Sequence, residues 1–300
     1  MKRKITNCPI CQNLDLKFLE GYEKNFLIKC KKCSFVFDQR IPSSHELDEY
    51  YSNYAYNNLK QVSPQTINSF NKLLDFFEKN KGSGNILDLG CGQGDFLVEA
   101  KKRNWNIYGA EFSRSATELC EKRGIKMHQG ELSKDMFEGI KFDVITSFEV
   151  IEHLNNPNEF MSVVYEKLHS KGIVYTTTPN FNSLLRFFEK GNFKMIAYPI
   201  HISFYSKKSI RKLGHINHFK AIKEKTTGID IGRLINVFKP VNKDIDAEVN
   251  KHFHIRKETT ENVRRLADSS HIMNLLKSII NFLLSLFGIG DTLKVFWVKD

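Results

Sequence analysis

One glycine-rich segment, N-I-L-D-L-G-C-G-Q-G-D-F at residues 85–96, constrains the fold of this chain most. An apolar run ends in Asp88, three alternating glycines follow, and apolar residues recur at helical spacing from Phe96 onward. The pattern predicts a strand, a tight turn and a helix start. Such a turn brings the backbone close to a ligand because glycine has no Cβ, and the amides of the helix start point toward that ligand. We therefore expect a small polar ligand here.

The acid before the glycines narrows the class of ligand. Glycine turns also bind nicotinamide, flavin and nucleotide ligands, but the dinucleotide fingerprint is G-x-G-x-x-G, whereas this segment has D-x-G-x-G-x-G. The carboxylate of Asp88 disfavours a phosphate and can hold a ligand ammonium group, directly or through water. An amino acid joined to a nucleoside is therefore favoured. The segment resembles motif I of the class I S-adenosylmethionine-dependent methyltransferases.

A second acid follows at the expected distance. N-I-Y-G-A-E at residues 106–111 predicts a short strand ending in Glu111, roughly twenty residues after the glycines, where a carboxylate can bind both ribose hydroxyls. The alternative is an exposed glutamate at a strand end. The family pattern puts the adenine contacts after the next predicted strand, near residues 129–132. The resemblance thus implies a cofactor site composed of Asp88, Gly90, Cys91, Gly92, Gly94, Glu111, Phe112, Glu131, Leu132 and Phe148.

The motif F-E-V-I-E-H-L at residues 148–154 follows a predicted buried strand. We expect Glu149, Glu152 and His153 to share one helical face, since side chains three or four residues apart do so. Two carboxylates and an imidazole can bind a divalent ion or relay a proton. The segment resembles the E-x-x-E-H motif of ubiquinone-biosynthesis O-methyltransferases, which implies a second divalent metal. The alternative is that Glu152 and His153 only cap and brace the helix.

The acceptor side is expected around the fifth strand, predicted at residues 172–178. This strand ends in T-P-N, which resembles the same methyltransferases, and open α/β sheets bind ligands beyond the carboxyl ends of their strands. Asn180 and the loop after it are therefore expected to face the acceptor. His201 precedes a helix capped by Ser206 and matches an active-site histidine of related sequences, although a packed structural histidine is the alternative. The catalytic candidates are Glu149, Glu152, His153 and His201.

Two C-x-x-C pairs precede this region, Cys8 with Cys11 and Cys30 with Cys33. Their separation of about eighteen residues is typical of a structural zinc site, in which two knuckles complete a closed tetrahedral shell. The first residues are basic without a following apolar run, which predicts no secretory signal and a cytoplasmic protein, and this disfavours disulfides. We predict a zinc ribbon that gains much of its folding free energy from the ion.

Together the motifs predict an α/β fold, a Rossmann-like doubly wound seven-stranded sheet at residues 65–300. The zinc ribbon occupies residues 1–40, a connector residues 41–64, and a helical insertion residues 238–288 before the last strand. The connector is either a helix and loop packed on the catalytic domain or a lid over the substrate. The lid hypothesis depends on a cluster of tyrosines, Tyr50, Tyr51, Tyr54 and Tyr56.

The segment at residues 272–287 predicts a helix with a wide apolar arc. It is too short to span a membrane and runs directly into a predicted strand. Either it docks on the body or in a dimer seam, or it makes peripheral contact with lipid or a lipid-linked acceptor. Its narrow polar sector contains Asn274, Lys277, Ser278, Asn281 and Ser285.

The charge of +11 over 300 residues favours anionic partners, including nucleotide sugars, phosphorylated metabolites, nucleic acid and membrane surfaces. The ribbon, these motifs and a terminal G-I-G-D-T-L resemble methyltransferases of surface-polysaccharide and nucleotide-sugar pathways. This resemblance implies O-methylation of a sugar, nucleotide-sugar or glycan-linked acceptor in surface-polysaccharide biosynthesis. One alternative is an rRNA methyltransferase, although those zinc modules have histidine where Cys33 stands. Another is a non-catalytic binding protein with a vestigial cofactor pocket. The sequence indicates no oligomeric state.

Overall fold

The chain folds around two β-sheets, one of four strands and one of seven. The computed structural model describes residues 4–43, 45–47, 62–230, 232–234 and 271–300, with side chains from residue 278 onward in the last range. In chain order the strands are β1 (Leu16–Phe18), β2 (Leu27–Cys30), β3 (Val36–Asp38), β4 (Asn85–Leu89), β5 (Asn106–Glu111), β6 (Lys126–Gln129), β7 (Phe142–Phe148), β8 (Leu168–Pro179), β9 (Ser203–Phe204), β10 (Phe219–Thr227) and β11 (Thr292–Lys299). The α-helices are α1 (Pro64–Phe77), α2 (Asp95–Lys101), α3 (Arg114–Lys122), α4 (Pro157–Lys167), α5 (Leu184–Glu189), α6 (Lys207–Ile216) and α7 (His271–Phe287).

The larger sheet has the strand order β10-β11-β8-β7-β4-β5-β6. The strands from β8 to β6 are parallel, whereas β11 is antiparallel to both of its neighbours. Because β4 lies between β5 and β7, the chain winds outward on one side of β4 and then returns to start the other side. Open α/β sheets bind ligands at such a switch point, outside the carboxyl ends of the strands. The predicted Rossmann-like seven-stranded sheet is confirmed.

Local sequence explains several element boundaries. The helix α1 begins where Ser63 accepts the backbone N–H of Thr66, and Pro64 fits its first turn because that position needs no N–H donor. The helix α6 begins with the predicted cap at Ser206, which exchanges hydrogen bonds with Ser209. The central strand β4 is buried from Ile86 to Leu89 because both of its faces are covered.

The smaller sheet, ordered β1-β2-β3-β9, connects the ribbon to the rest of the chain. Three of its strands belong to the ribbon, whereas β9 follows His201, more than a hundred residues later. Backbone pairing places Val36 opposite Phe204 and Phe37 opposite Ser203. The ribbon is therefore joined to the candidate acceptor side by a shared sheet.

The ribbon also shares a hydrophobic core with the larger sheet. Phe35 of the ribbon packs its ring 5.0 Å from that of Tyr205, and both side chains belong to the buried cluster that contains Leu87 of β4. On the helix α4, the side-chain amide of Asn158 donates to the carbonyl oxygens of Pro9 and Ile10 at 2.8 and 2.9 Å. Removing the ribbon would therefore expose part of one continuous core.

Two sequence predictions fall outside the described residues. They are the tyrosine cluster of the connector, at Tyr50, Tyr51, Tyr54 and Tyr56, and the part of the insertion at residues 238–270. The predicted helix before the last strand is observed as α7, and the last strand as β11. Within the described ranges, no helix has both the length and the apolar character that crossing a membrane requires.

Candidate active site

The glycine turn between β4 and α2 has the backbone conformation that its sequence predicts. Gly90, Gly92 and Gly94 have φ angles of 70°, 52° and 73°, in the left-handed region that favours glycine. The amides of Gly90 and Cys91 donate to the carbonyl oxygen of Ala110 at 2.8 and 3.3 Å, which ties the turn to the end of β5. The turn is thus held at the carboxyl edge of the sheet.

Neighbouring side chains press directly against the glycines of this turn. A Cβ on Gly90 would lie 2.5 Å from Cγ2 of Val150, and a Cβ on Gly94 would overlap Cδ1 of Ile125. The close approach to Val150 shows that the F-E-V-I-E-H-L segment packs against the turn. The two motifs therefore meet in one place.

We expect Gly94→Ala to lower the free energy of unfolding by roughly 2–5 kcal/mol. About 1–2 kcal/mol comes from the left-handed backbone and about 1–3 kcal/mol from overpacking against Ile125. Gly139→Ala is the matched control, because Gly139 has a φ of 71° with nothing within 4 Å of its added Cβ. Urea denaturation would measure both variants. Equal losses in the two variants would show that the close packing around Gly94 contributes nothing.

Asp88 lies at the end of β4 and is only 3% exposed. The hydroxyl of Thr146 on the adjacent strand β7 donates to its Oδ1 at 2.7 Å. Burial raises the pKa of Asp88 to about 8, the Thr146 hydrogen bond opposes this rise, and the charge of Glu111 adds to it. A buried carboxylate with a single donor is a strong site for a cationic ligand group, because a positive charge would relieve its desolvation.

Glu111, at the end of β5, holds the glycine turn through its carboxylate. Its Oε2 accepts the amide N–H of Gly92 at 2.9 Å, and its Oε1 accepts those of Phe112 and Ser113 at 2.9 and 3.1 Å. An ionised carboxylate can accept about four hydrogen bonds, so capacity remains for a ligand hydroxyl. The structure thus brings both predicted acids to the edges of the same turn.

The remaining predicted cofactor residues surround this edge of the sheet. Cys91 is buried in the turn, and Phe112 is 55% exposed just beyond β5. Glu131 is exposed after β6, where its carbonyl oxygen lies 3.0 Å from Nε2 of His128. Leu132 is half-buried against the core, and the half-buried ring of Phe148 packs 5.2 Å from that of Phe96. Their roles as cofactor contacts stay predictions.

The predicted helical face with Glu149, Glu152 and His153 is wrong. Glu149 adopts a left-handed backbone with φ of 54°, and only a single 3₁₀ turn, Ile151–His153, follows it. Because the chain leaves the strand β7 through this reversal, Glu149 remains exposed while Glu152 is 2% exposed. Glu149 and Glu152 remain close enough for the charge of one to act on the other.

His201 completes a cluster with Glu152 and His153. The ligand atoms of these three residues all lie within 4.8 Å of one another. Nε2 of His153 lies 4.0 Å from Oε1 of Glu152, and the two imidazole rings are 4.9 Å apart with an interplanar angle of 75°. On the outer side, Nδ1 of His201 lies 2.9 Å from the carbonyl oxygen of Met195.

Within the part of the chain that the structure describes, two polar atoms of these residues are buried without a hydrogen-bond partner, Oε1 of Glu152 and Nδ1 of His153. Burial, followed by the charge of Glu149, raises the pKa of Glu152 well above its ordinary value. Burial and the neighbouring His201 lower the pKa of His153 to about 4, and burial also lowers the pKa of His201. Two neutral imidazoles beside a carboxyl group with orphaned atoms fit a divalent ion.

The sequence did not predict the hydroxyl groups that donate hydrogen bonds to the two buried acids, Asp88 and Glu152. Thr146 donates to Asp88, and Thr178 donates to Oε2 of Glu152 at 3.0 Å. Both threonines lie at the carboxyl ends of parallel strands next to the turn. A threonine in an otherwise apolar strand near its carboxyl end is the signal that could have identified them.

The prediction that Asn180 faces the acceptor is wrong. Asn180 is fully buried, and its side-chain amide donates to the carbonyl oxygens of Gly288 and Gly290 at 2.9 and 2.7 Å. It therefore fixes the turn that precedes β11. Its amide is satisfied by the protein itself, because the turn after α7 passes directly over the end of β8.

The four ribbon cysteines converge on one point. Sγ of Cys8 lies 3.4 Å from Sγ of Cys33, Sγ of Cys11 lies 3.6 Å from Sγ of Cys30, and all four sulfur atoms lie within 4.8 Å of one another. A tetrahedral zinc with bonds of about 2.3 Å to sulfur separates its ligands by about 3.8 Å. The cluster therefore fits a structural zinc ion.

Comparisons with known proteins agree with this geometry. The family described as "Methyltransferase domain" matches residues 65–224, just over half of the chain. A mitochondrial ubiquinone biosynthesis O-methyltransferase of Saccharomyces cerevisiae is 28% identical over 104 residues, covering 32% of this chain and 33% of that protein. The corresponding protein of Rickettsia bellii is 25% identical over 170 residues, covering 54% and 65%. The chain thus spans between a third and two thirds of these relatives.

A solved structure shows the same fold. The crystal structure of an S-adenosylmethionine-dependent methyltransferase from Archaeoglobus fulgidus matches with a TM-score of 0.53 and 15% identity, covering 83% of this chain and 100% of that one. At this identity the match concerns the fold alone. The shared fold agrees with the family match over residues 65–224. The chain belongs to the methyltransferase domain family, within the class I S-adenosylmethionine-dependent methyltransferases.

Proposed function

We propose that this chain is an S-adenosylmethionine-dependent O-methyltransferase that acts on a hydroxyl group of a sugar, nucleotide-sugar or glycan-linked acceptor. The observation that carries the proposal is the cluster of Glu152, His153 and His201, which lies beside the glycine turn at the same sheet edge. An amine acceptor needs only a free lone pair, whereas a hydroxyl also needs help to lose its proton. The cluster supplies the groups for that second task.

The donor side uses the two acids of the turn. S-adenosylmethionine, when bound, supplies a methyl group that its sulfonium already makes electrophilic. Asp88 would hold the ammonium group of the donor, since within the described residues its buried carboxylate accepts a side-chain hydrogen bond from Thr146 alone. Glu111 would bind ribose hydroxyls through its remaining acceptor capacity while keeping the turn in place. The glycines allow the backbone to approach the ligand closely.

The acceptor side orients the hydroxyl and takes its proton. Glu152, His153 and His201 would hold a divalent ion, which supplies Lewis-acid polarisation of an acceptor oxygen. Thr178 fixes the Glu152 carboxylate, and Met195 fixes His201 through its carbonyl oxygen. Such orientation of the reacting atoms accounts for much of the barrier reduction in group transfer. In the transfer itself the acceptor oxygen–carbon bond forms as the sulfur–carbon bond breaks, and the hydroxyl proton leaves to this cluster or to water.

The choice of a sugar-type acceptor rests on the motif resemblance and on charge. The net charge of +11 favours an anionic acceptor such as a nucleotide sugar. The two curated relatives described above are named for ubiquinone biosynthesis, so the assay must include aromatic acceptors. A screen for S-adenosylhomocysteine release should cover nucleotide sugars, lipid-linked glycans, quinol precursors and RNA. Release with RNA alone would replace the proposed acceptor class, and no donor binding in a calorimetric titration would indicate a vestigial pocket.

We expect His153→Ala to lower turnover by roughly 10²–10⁴-fold while leaving affinity for S-adenosylhomocysteine within about twofold. His153 lies in the cluster with Glu152 and His201, whereas Asp88 and Glu111 lie at the glycine turn, so the donor side should be preserved. Elemental analysis of the purified chain should also show loss of a divalent ion other than the ribbon zinc.

The control for this variant is His169→Ala, at the amino-terminal end of β8 and therefore at the opposite edge of the sheet. It should retain activity. Normal turnover of His153→Ala would contradict the assignment of the cluster to the reaction, whereas an equal loss of donor affinity would show that the cluster merely supports the glycine turn.

A further inference from the structure

A row of four side chains crosses the larger sheet near the carboxyl end of β8. Strand pairing places Thr177 of β8 opposite Phe148 of β7 and opposite Lys294 of β11. Lys294 in turn lies opposite Lys225 of the edge strand β10. Residues directly opposite each other point to the same face of a sheet, so the four side chains share one face. Phe296, two residues along β11, lies on this face against a ring of α1.

The donor acid Asp88 lies on the same face of the sheet. Asp88 is opposite Thr146, and Thr146 is opposite Tyr175, two residues before Thr177. Three strand spacings separate β4 from β11, which amounts to about 14 Å. The proposed donor site occupies the ends of β4 and β5, whereas Lys294 lies beyond β7 and β8. The lysines are therefore on the acceptor half of the sheet edge.

Thr177 connects this row to the cluster of Glu152, His153 and His201. The amide of Glu149 donates to the carbonyl oxygen of Thr177 at 3.1 Å and lies 3.2 Å from its hydroxyl oxygen. The next residue along β8, Thr178, donates to Glu152. The two lysines thus lie beside the groups that would take the proton of the acceptor hydroxyl.

The chain itself neutralises these two lysines only in part. Lys294 is half-buried and Lys225 is exposed, and within the described ranges neither ammonium group makes a hydrogen bond or an ion pair. Burial lowers the pKa of Lys294, the charge of Glu149 opposes this change, and the charge of Lys225 adds to it. Like charges directly opposite each other destabilise a sheet. An anion bound between the two lysines would remove this repulsion.

We propose that Lys294 and Lys225 bind a phosphate group of the methyl acceptor and thereby place its hydroxyl beside the cluster that contains Glu152. The inference rests on the proposed function, because it names a group on the same acceptor. Two compact ammonium charges on adjacent strands suit a tetrahedral phosphate. A planar carboxylate is matched best by the fork of an arginine, and this row contains none.

The test is a calorimetric titration of the full chain, saturated with S-adenosylhomocysteine, with phenyl phosphate, benzoate and phenol. The three probes share one ring and differ in the group attached to it. We expect phenyl phosphate to bind at least about tenfold more tightly than the other two. Lys294→Met should lower its affinity roughly 10–100-fold, because hydrogen bonds to a charged group are lost. Lys225→Met should have a smaller effect, since solvent and salt screen an exposed charge.

Lys220→Met is the matched control. Lys220 lies on the same strand and the same face as Lys225, but it is opposite Val298 at the amino-terminal end of β8. This variant should bind phenyl phosphate within about twofold of the parent chain. Lys294→Arg keeps the positive charge and should retain most of the affinity. Circular dichroism would establish that each variant is folded.

Three results would overturn the proposal. Phenyl phosphate could bind no more tightly than benzoate, or Lys294→Met could bind it as tightly as the parent chain. A third is an equal loss of affinity for S-adenosylhomocysteine in Lys294→Met, which would assign this lysine to the donor. Failure of the proposed function is distinguishable, because it would appear as no S-adenosylhomocysteine release with any hydroxyl acceptor while phenyl phosphate binding still depends on Lys294.

Discussion

Cys33→Ser is expected to unfold the zinc ribbon and to lower the thermal stability of the entire chain. The sulfur atoms of Cys33 and Cys8 are 3.4 Å apart, so one lost ligand opens the shell of the proposed zinc ion. A structural zinc contributes about 10–16 kcal/mol in small zinc modules, which is as large as the whole stability of a typical domain. The remaining ribbon strands are short and cannot compensate for this loss.

The loss of stability should extend beyond the ribbon, because the ribbon shares a β-sheet with β9 and a hydrophobic core with the larger sheet. Without β3, the strand β9 loses its partner, and the carbonyl oxygen of Ile202 loses the amide N–H of Asp38, which donates to it at 2.8 Å. The amide of Ile202 still donates to the carbonyl oxygen of Glu152 at 3.0 Å. This bond joins the segment that carries His201 to the turn that carries Glu152. We therefore expect a single, lowered melting transition in calorimetry, and the same change when a chelator removes the zinc.

Cys120→Ser is the control for this experiment. Its thiol is buried outside the ribbon and donates to the carbonyl oxygen of Gly92 at 3.3 Å, a bond that a hydroxyl can also make. This variant should melt close to the parent chain. An unchanged transition for Cys33→Ser, or for the chelated parent, would show that no metal supports the ribbon.

Asp88→Asn is expected to lower the affinity for S-adenosylhomocysteine by about 10²–10⁴-fold. The proposed ammonium partner would lose its buried counter-charge, and removing one member of a buried pair costs about 3–5 kcal/mol. Isothermal titration calorimetry would measure the change. Because the amide has nearly the shape of the carboxyl group, the hydrogen bond from Thr146 can be retained.

The same substitution should stabilise the ligand-free chain. Burial raises the pKa of Asp88 to about 8 in the folded chain, against about 3.9 when unfolded. Between these two values the native state holds a proton that the unfolded state releases, so the stability contributed by this group falls as pH rises toward 8. The asparagine side chain does not ionise, so the stability of this variant does not include this pH-dependent loss. We expect Asp88→Asn to raise the free energy of unfolding at pH 8 by roughly 2–5 kcal/mol.

Asp95→Asn serves as the control, because Asp95 begins α2 directly after the same glycine turn but pairs with Arg123 at 2.7 Å. It should retain most of the donor affinity and gain no stability at pH 8. If Asp88→Asn bound the donor as tightly as the parent, the ammonium assignment would fail. If it bound weakly but was no more stable at pH 8, Asp88 would be ionised in the free chain.

The sequence predicts the elements whose causes are local. The glycine turn is predictable because left-handed φ angles at Gly90, Gly92 and Gly94 require glycine. The cap at Ser206 is predictable because it depends on residues within one turn. The convergence of the ribbon cysteines follows from their spacing, since each C-x-x-C knuckle directs two thiols to one point. The class of fold follows from these features together.

The cluster of Glu152, His153 and His201 could not be predicted from the spacing of residues along the chain. His201 meets Glu152 and His153 only because β9 pairs with the ribbon and Ile202 bonds to Glu152, and no periodicity links these distant segments. The helical face predicted for Glu149 failed because a left-handed residue ends the strand before a helix can start. Thr146 and Thr178 act through neighbouring strands, so their role depends on sheet order.

The sequence by itself determined the donor turn, the ribbon and the amphipathic character of α7, because each depends on residues close together in the chain. Only the tertiary structure decided which face of α7 is docked, since Thr226 and Gly228 offer hydrogen-bonding groups where a core-facing helix would meet apolar side chains. It likewise decided that Asn180 is buried, because the turn before β11 crosses the end of β8. The physical reason is that periodicity defines two faces of a helix or strand, whereas the free energy of packing chooses between them.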